Sequence, residues 1–389
     1  MRGSVTTCAC AGCSKPRRPN NGHSRASVNA HDEPATIPQA IRTDMRFDTS
    51  PAPHVIAGYT VPRVMFQVLF ALVPAGIAHV ALFGPGLLLQ LAVACVTALL
   101  AEAAALRWRG RDAASALKDG SVLVTAFLLA FSIPPLLPWW LGALGTALAV
   151  LLGKHVFGGL GQNPFNPAMV GYAILLVSFP AEMTRWPVPM DVDGTRTWSE
   201  LARMSFASFY GADPTGHWDG YTGATALDSI RSGLDLRYTL PELLGRGEIA
   251  GTLGARGFAW INLAALAGGL YLMARRIVRW HIPAAVLGGL LVPSFIAHGL
   301  DAGIALGPAL QAFSGGTMLT AFFIATDPVS AATSDRGRLW YGAGIGLIAW
   351  IIRTWGGYPD GFAFAVLLMN LAVPFIDRYT VPRIYGRQP

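Results

Sequence analysis

Ten apolar runs follow Met45, and they constrain the fold more than any other feature of the chain. A helix that spans a membrane needs about 20 apolar residues. Several of the runs are shorter, which is typical of the broken helices found in transport-type folds. We therefore predict an all-α integral membrane protein with about ten transmembrane helices, at 64–83, 86–106, 120–133, 136–153, 167–180, 258–273, 282–298, 304–326, 340–352 and 362–376.

The composition excludes several other classes of protein. Only 13% of the residues are charged, against about 25% in soluble proteins. The net charge of +7 does not indicate a nucleic-acid partner, because the basic residues lie between apolar runs and form no patch interleaved with aromatic residues. Residues 1–44 are polar, and we expect a disordered tail or a segment ahead of a true start at Met45. The three cysteines in this tail lack a fourth ligand at a recognised spacing, so no metal site is predicted.

The loop charges predict the orientation. Lys and Arg cluster in alternate short loops, and positively charged loops face the cytoplasm. Both termini are therefore predicted to be cytoplasmic, and the one long interruption, 181–257, extracytoplasmic. Arg353 is the one basic residue that breaks the pattern. The residues that carry it are Arg107, Arg109, Arg111, Lys118, Lys154, Arg275, Arg276, Arg279, Arg336, Arg338, Arg378, Arg383 and Arg387.

Two halves of the chain resemble each other. The run 124–130 is similar to 319–325, and Gly158-Gly159 is similar to Gly356-Gly357 at nearly the same offset. Each half then holds five segments, and an odd number inverts the second copy in the membrane. The predicted organisation is a first repeat at 45–180, an external loop at 181–257 and a second repeat at 258–389. In inverted-repeat folds the binding sites lie near the midplane, at the short helices.

Residues 158–168 contain the first motif with chemical content. Glycines and prolines there open the backbone between two spans, which is tolerated only where it is buried in protein or lines a cavity. Asn163 and Asn166 have amides that match the polar edge of a planar heterocycle, and Phe165 could stack on such a ring. The alternative is that the two asparagines cap the helix that begins at Pro167.

Two further motifs have simpler interpretations. Residues 219–228 place Thr225 among small residues in the external loop, which by itself indicates only a turn. Gly342–Gly346 resembles part of a dinucleotide-binding fingerprint, but it lies within an apolar run, so we predict close helix packing.

Five charged residues lie in or near the predicted spans. Such charges usually mark ion paths or ion pairs. Glu102 could instead extend its carboxylate to a membrane surface, and Asp327, before Pro328, could belong to a turn. The other three are Asp119, Arg353 and Asp360.

The residues 157–172, 314–333 and 356–377 carry long strings that resemble the RnfD/NqrB family. Its members are subunits of Rnf electron-transport complexes and of the sodium-translocating NADH:quinone reductase. The similarity runs from about Met45 to Arg387.

The resemblance implies a covalently bound flavin. The family's flavinylation signal is an Asp, two variable residues, Ser or Thr, a small residue and then Ala-Thr. Asp219, Thr222, Gly223, Ala224 and Thr225 match it. By similarity, Thr225 would carry FMN through a phosphoester, attached by a flavin transferase from FAD. A noncovalent riboflavin within the spans is also implied, and Asn163, Phe165 and Asn166 are the candidate wall for it.

The implied function is electron transfer between flavins in a six-protein complex of the bacterial inner membrane. The complex would couple transfer between ferredoxin or NADH and its acceptor to movement of Na⁺ or H⁺, with Asp327 and Asp360 as candidates for ion coupling. No catalytic side chain is implied, and the protein is not expected to be active alone. The alternatives are a redox-inactive channel or secondary transporter with inverted repeats, and a purely structural assembly subunit.

Overall fold

The computed structural model describes residues 60–190, 197–212, 222–245, 249, 254–358 and 360–380 of the chain. All of them belong to one unit, Gly58–Pro389. They are mostly helical, as predicted for an all-α membrane protein. Within this part of the chain, helices long and apolar enough to cross a membrane are Val61–Phe83, Gly86–Trp108, His281–Leu300 and Phe362–Thr380.

The shorter elements lie between these long helices. In chain order the elements are α1 (Val61–Phe83), α2 (Gly86–Trp108), α3 (Ala113–Leu117), α4 (Ser121–Ser132), α5 (Trp139–Leu148), the π-helix π1 (Ala149–His155), α6 (Pro167–Ser178), α7 (Pro180–Met183), β1 (Trp186–Pro187), α8 (Trp198–Phe209), β2 (Thr222–Gly223), α9 (Ala226–Asp235), α10 (Leu240–Gly245), α11 (Phe258–Ala274), α12 (His281–Leu300), α13 (Pro308–Ala312), α14 (Thr317–Leu319), the π-helix π2 (Thr320–Ile324), α15 (Asp335–Trp355) and α16 (Phe362–Thr380).

Glycines allow the long helices to approach each other closely. A side chain at Gly346 of α15 would collide with the Val286 carbonyl of α12, and one at Gly268 of α11 would collide with the Ala71 carbonyl of α1. Small residues at a crossing let two backbones come together where lipid supplies no hydrophobic driving force. The prediction that Gly342–Gly346 serves helix packing is therefore confirmed, since Gly342 also abuts α12.

The predicted segment 304–326 does not form a single helix. The chain forms α13, breaks at Phe313–Gly316, and continues as α14 and π2. Gly315 adopts a φ of 55°, which glycine takes without strain. A side chain there would collide with the Asp360 carboxylate. Hydropathy did not reveal the break, because the residues around it are small or apolar.

The segment predicted at 340–352 begins earlier, at Asp335. The Ser334 hydroxyl accepts a hydrogen bond from the Gly337 N–H at 2.9 Å and caps the first turn. This turn contains charged residues, which a prediction based on apolar runs leaves out.

The described part of the external loop packs on a small core of its own. Ile230 of α9 and Leu243 of α10 are buried there together with Leu310 of α13. The Met190 N–H also donates to the Leu82 carbonyl at the end of α1, at 3.0 Å. These contacts hold α9 against the membrane helices, so the position of Thr225 is set by tertiary packing.

Candidate functional site

Thr225 lies at the N-terminus of α9. It adopts extended backbone angles, and its Oγ1 accepts a hydrogen bond from the Asp228 N–H at 3.4 Å. Just before it, β2 pairs antiparallel with β1, with Gly223 opposite Trp186. A side chain at Gly223 would come within 2.8 Å of Val188 Cγ2, so the pairing requires a small residue there. The strand pair and the helix together present a half-buried hydroxyl at a helix N-terminus.

A cavity opens beside Thr225, and we call it the first cavity. Its volume is about 140 Å³, and it is partly open to the outside. Its wall is mostly apolar and aromatic. It is lined by parts of α1, α4, α6, α9, α11, π2 and α16, and includes His79, Phe131, Tyr172, Trp186, Thr225, Asn262, Thr320, Tyr358 and Asp360.

Part of the wall belongs to an aromatic cluster, in which His79, Trp186 and Phe258 line the cavity and Phe83 packs against them. Trp186 lies 5.5 Å from Phe258 and 5.9 Å from Phe83 between ring centroids. His79 lies 5.1 Å from Phe83 and 6.5 Å from Trp186. Aromatic side chains supply large apolar contact area and offset or edge-on ring packing. This wall therefore suits a flat conjugated ligand.

Asp360, another residue of the cavity wall, belongs to an ion pair. Arg353 of α15 donates to Asp360 Oδ1 at 3.2 Å, and its side chain is only 1% exposed. Asp360 Oδ2 accepts a hydrogen bond from the Gly316 N–H at 2.7 Å. Arg353 departs from the loop-charge pattern because it is a buried structural cation. It binds the broken segment through Gln311, Ser314 and Thr317.

A second cavity lies on the other side of π2. Asn163, Asn166, Lys154 and Asp327 contribute to its wall. Phe322 and Phe323 of π2 line this cavity, whereas Thr320 and Ile324 line the first one. The two cavities therefore share one π-helical wall.

The two asparagines of the 158–168 motif make specific hydrogen bonds. Asn166 caps α6 by accepting from the Met169 N–H at 3.3 Å, and it donates to the Ile324 carbonyl of π2 at 3.1 Å. Asn163 donates to the Phe165 carbonyl at 3.0 Å. The capping alternative therefore describes Asn166, which also lines the second cavity. Phe165 is not part of the cavity wall and packs at 6.1 Å from Phe157.

Asp327 lies in the turn after π2. The Ser330 hydroxyl donates to its Oδ2 at 2.7 Å, as in a polar turn. Desolvation in the cavity wall raises the pKa of the Asp327 carboxyl, and the hydrogen bond from Ser330 acts in the opposite direction.

Glu102 belongs to a buried charge cluster. Its carboxylate accepts from Lys154 Nζ at 2.9 Å and contacts His155 Nε2 at 2.9 Å. Lys154 also donates to Ser121 Oγ at 2.9 Å. The expectation that Glu102 extends to a membrane surface is wrong, because π1 brings Lys154 and His155 to it inside the protein.

The site residues predicted from the sequence divide between the two cavities. Thr225 and Asp360 line the first, and Asn163, Asn166 and Asp327 line the second. Thr222, Gly223 and Ala224 lie beside the first cavity without lining it, and Asp219 lies outside the described residues. Sequence reasoning missed the wall residues His79, Tyr172 and Trp186, which follow no motif and are distant in the chain.

Comparisons with known proteins agree on one family. The model of the NQR2, RnfD, RnfE family matches residues 48–386. The D-type subunit of the ion-translocating oxidoreductase complex of Pseudomonas aeruginosa is 49% identical over 342 residues, covering 87% of this chain and 95% of the relative. The corresponding proteins of Vibrio cholerae and Sodalis glossinidius are each 46% identical, covering 88% of this chain and 100% of the relative.

Proposed function

The chain belongs to the NQR2, RnfD, RnfE family, and from this premise we propose that it is the membrane subunit of an ion-translocating oxidoreductase complex that carries electrons on FMN bound covalently to Thr225. The curated relatives are the D-type subunits of such complexes. The protein would position and tune the flavin, while the flavin would supply the electron chemistry.

The position of Thr225 is the observation that carries the proposal. Its hydroxyl lies at the N-terminus of α9, a helix of 10 residues. Helix N-termini favour phosphate, since their free N–H groups and dipole attract an anion. From the same residue the first cavity, with its aromatic wall, extends between the helices. A phosphoester at Thr225 would thus leave the flavin ring next to a cavity with a mostly apolar and aromatic wall.

The attachment step needs no oxidant. The Thr225 oxygen would attack the phosphorus of the FMN half of FAD, on a separate flavin transferase. The bond to the AMP phosphate would break, AMP would leave, and the hydroxyl proton would pass to a base of the transferase. One phosphoester forms while one phosphoanhydride is lost, and the flavin keeps its redox state.

The second cavity is the proposed place for a noncovalent riboflavin. Asn163 and Asn166 contribute amides to its wall. Phe165 is not part of this wall, so we drop the proposal that it stacks on the ring. Since π2 borders both cavities, two flavins so placed would be separated by one helical segment, which favours electron transfer between them.

The wider architecture follows from the same premise. The similarity of 124–130 to 319–325 would correspond to two five-helix repeats of opposite orientation. About ten spans would then cross the bacterial inner membrane, with both termini cytoplasmic and 181–257 outside. The remaining partners would be the other subunits of a six-protein complex.

Ion coupling would use Asp327, Asp360 or both. They lie in the walls of different cavities, one with a Ser330 partner and one with Arg353. Carboxylates inside a membrane protein usually mark an ion path or a pair. The moving ion would be Na⁺ or H⁺.

The test of the flavin site is in-gel fluorescence. The full chain is made together with its transferase, denatured, run on a gel and viewed under ultraviolet light. The mass of the intact chain is also measured, and it should show one FMN per chain. Thr225→Asn should abolish both signals, because asparagine retains the N-cap but offers no hydroxyl. Thr197→Ala is the matched control, since Thr197 also caps a helix of the external loop, and it should leave both signals intact.

Fluorescence that survives Thr225→Asn would place the attachment elsewhere. A wild-type chain without bound flavin would refute the electron-carrier proposal and favour a channel or secondary transporter. For the second cavity, replacing both Asn163 and Asn166 with Ala should reduce the noncovalent flavin released on denaturation. Unchanged release would remove these residues from the site.

A further inference from the structure

His79 is a buried polar side chain without a hydrogen-bond partner in the described part of the chain. It is 2% exposed, and neither Nδ1 nor Nε2 makes a hydrogen bond. Buried polar groups are nearly always paired, because an unpaired one has lost its hydrogen bonds to water without replacement. An imidazole in this condition requires a physical reason, and His79 lines the first cavity.

The surroundings of His79 do not offer a partner from the described protein residues. On α1, Ala71, Ala75, His79 and Phe83 are buried at every fourth residue and share one face of the helix, with Leu72 buried beside them. The rings around the imidazole belong to Phe83, Phe131 and Trp186. An imidazole has at least one N–H donor in either protonation state, and these apolar rings leave that donor without an acceptor.

A short chain of contacts connects His79 to Thr225. His79 packs on Trp186 with 6.5 Å between ring centroids. Trp186 pairs with Gly223 across the two-stranded sheet, and Gly223 precedes Thr225 by two residues. Both His79 and Thr225 line the same cavity. A ligand anchored at Thr225 and extending into this cavity therefore enters the space that the His79 side chain lines.

We propose that the His79 imidazole donates a hydrogen bond to the polar edge of the flavin ring held at Thr225 and thereby raises its reduction potential. This inference rests on the proposed function and identifies a positioning and tuning residue of the same site. The edge of the ring offers carbonyl oxygens and ring nitrogens as acceptors. Hydrogen bonds to these atoms tune a flavin, because reduction adds electron density to them.

The direction of the effect follows from that density. A donated hydrogen bond is stronger to the electron-rich reduced ring than to the oxidised ring, so it stabilises the reduced form. Removing the donor should shift the midpoint potential to a more negative value. Attachment should be unaffected, because the transferase acts on the Thr225 hydroxyl and not on the wall of the cavity.

The experiment compares four full-length chains made together with the transferase and purified in detergent. They are the wild type, His79→Leu, His79→Gln and the control His298→Leu. His298 is a histidine near the end of α12 whose Nδ1 is already bonded to the Ala305 carbonyl. Covalent flavin is measured by gel fluorescence, and the midpoint potential by spectroelectrochemical titration of visible absorbance.

We expect equal covalent flavin in all four chains. The potential should become more negative in His79→Leu, return at least in part in His79→Gln, and stay at the wild-type value in His298→Leu. If all four chains carry flavin and have the same midpoint potential, the tuning role of His79 is overturned, whereas the proposed function is not. Absence of covalent flavin from the wild type would overturn the proposed function, and the tuning role with it.

Discussion

Replacement of Arg353 tests whether the broken segment at 313–316 is held by a buried cation. Arg353 donates to Asp360, Gln311, Ser314 and Thr317, and the guanidinium lies 4.8 Å over the Phe362 ring. Arg353→Met fills much of the same volume but leaves Asp360 without its cation. Removing one partner of a buried pair costs about 3–5 kcal/mol.

The loss of unfolding free energy expected for Arg353→Met lies near the lower end of that range. The Asp360 side chain is 27% exposed and keeps its hydrogen bond from the Gly316 N–H, so water and the backbone compensate part of the loss. We expect Arg353→Met to lower the free energy of unfolding by about 3 kcal/mol. Asp360→Asn retains an acceptor oxygen and should cost about 2 kcal/mol.

The double variant supplies the decisive comparison. Because both changes remove the same interaction, Arg353→Met with Asp360→Asn should cost about 3 kcal/mol rather than the sum, a coupling of about 2 kcal/mol. The assay is unfolding in mixed micelles at rising SDS fraction, followed by far-ultraviolet circular dichroism. Arg279→Met is the control, since its pair with Asp335 is solvent-exposed and should contribute less than about 1 kcal/mol.

Additive costs in this cycle, within about 0.5 kcal/mol, would refute the coupling. A value for Arg353→Met no larger than that of Arg279→Met would refute the structural role of the cation.

Three further predictions concern packing and polar contacts, each measured by the same unfolding assay. Gly346→Val should destabilise strongly because its side chain meets the Val286 carbonyl, whereas Gly288→Val, with open space at its Cβ, should change little. Glu102→Gln should cost about 3–5 kcal/mol by leaving Lys154 buried without its anion, and a change under about 1 kcal/mol would contradict the buried pair. Asn166→Ala should cost about 1–2 kcal/mol through the lost cap of α6, and a neutral effect would show that the cap and the bond to π2 contribute nothing.

The outline of the fold was accessible from hydropathy, while the breaks within it were not. Long apolar runs predicted α1, α2, α12 and α16, because membrane insertion depends on the summed hydrophobicity of a local segment. The break at 313–316 depends on the approach of Asp360 to Gly315, 45 residues away in the chain. Such a contact leaves no trace in local composition.

The candidate site divides in the same way. Thr225 was recognisable only through the resemblance to a family with a local modification signal, because its neighbours by themselves indicated a turn. Asn163 and Asn166 stood out as polar residues in an apolar region. His79 and Trp186 were missed because they belong to no motif. They are distant in the chain and come together only in the folded protein. Glu102 was misread for the related reason that its partners, Lys154 and His155, lie on another helix.

By itself the sequence determined that the chain is a membrane protein and that Gly342–Gly346 serves close helix packing. It also determined that Thr225 matches the family's flavin attachment signal. Hydropathy and motifs are properties of neighbouring residues, so they can be recognised without the fold. Tertiary structure alone decided that Thr225 opens on a cavity walled by aromatic rings, that His79 faces that cavity with no hydrogen-bond partner among the described residues, and that Arg353 is a buried partner of Asp360. The physical reason is that cavities and ion pairs arise between helices that are distant in the chain, and their geometry is set by how closely those helices pack.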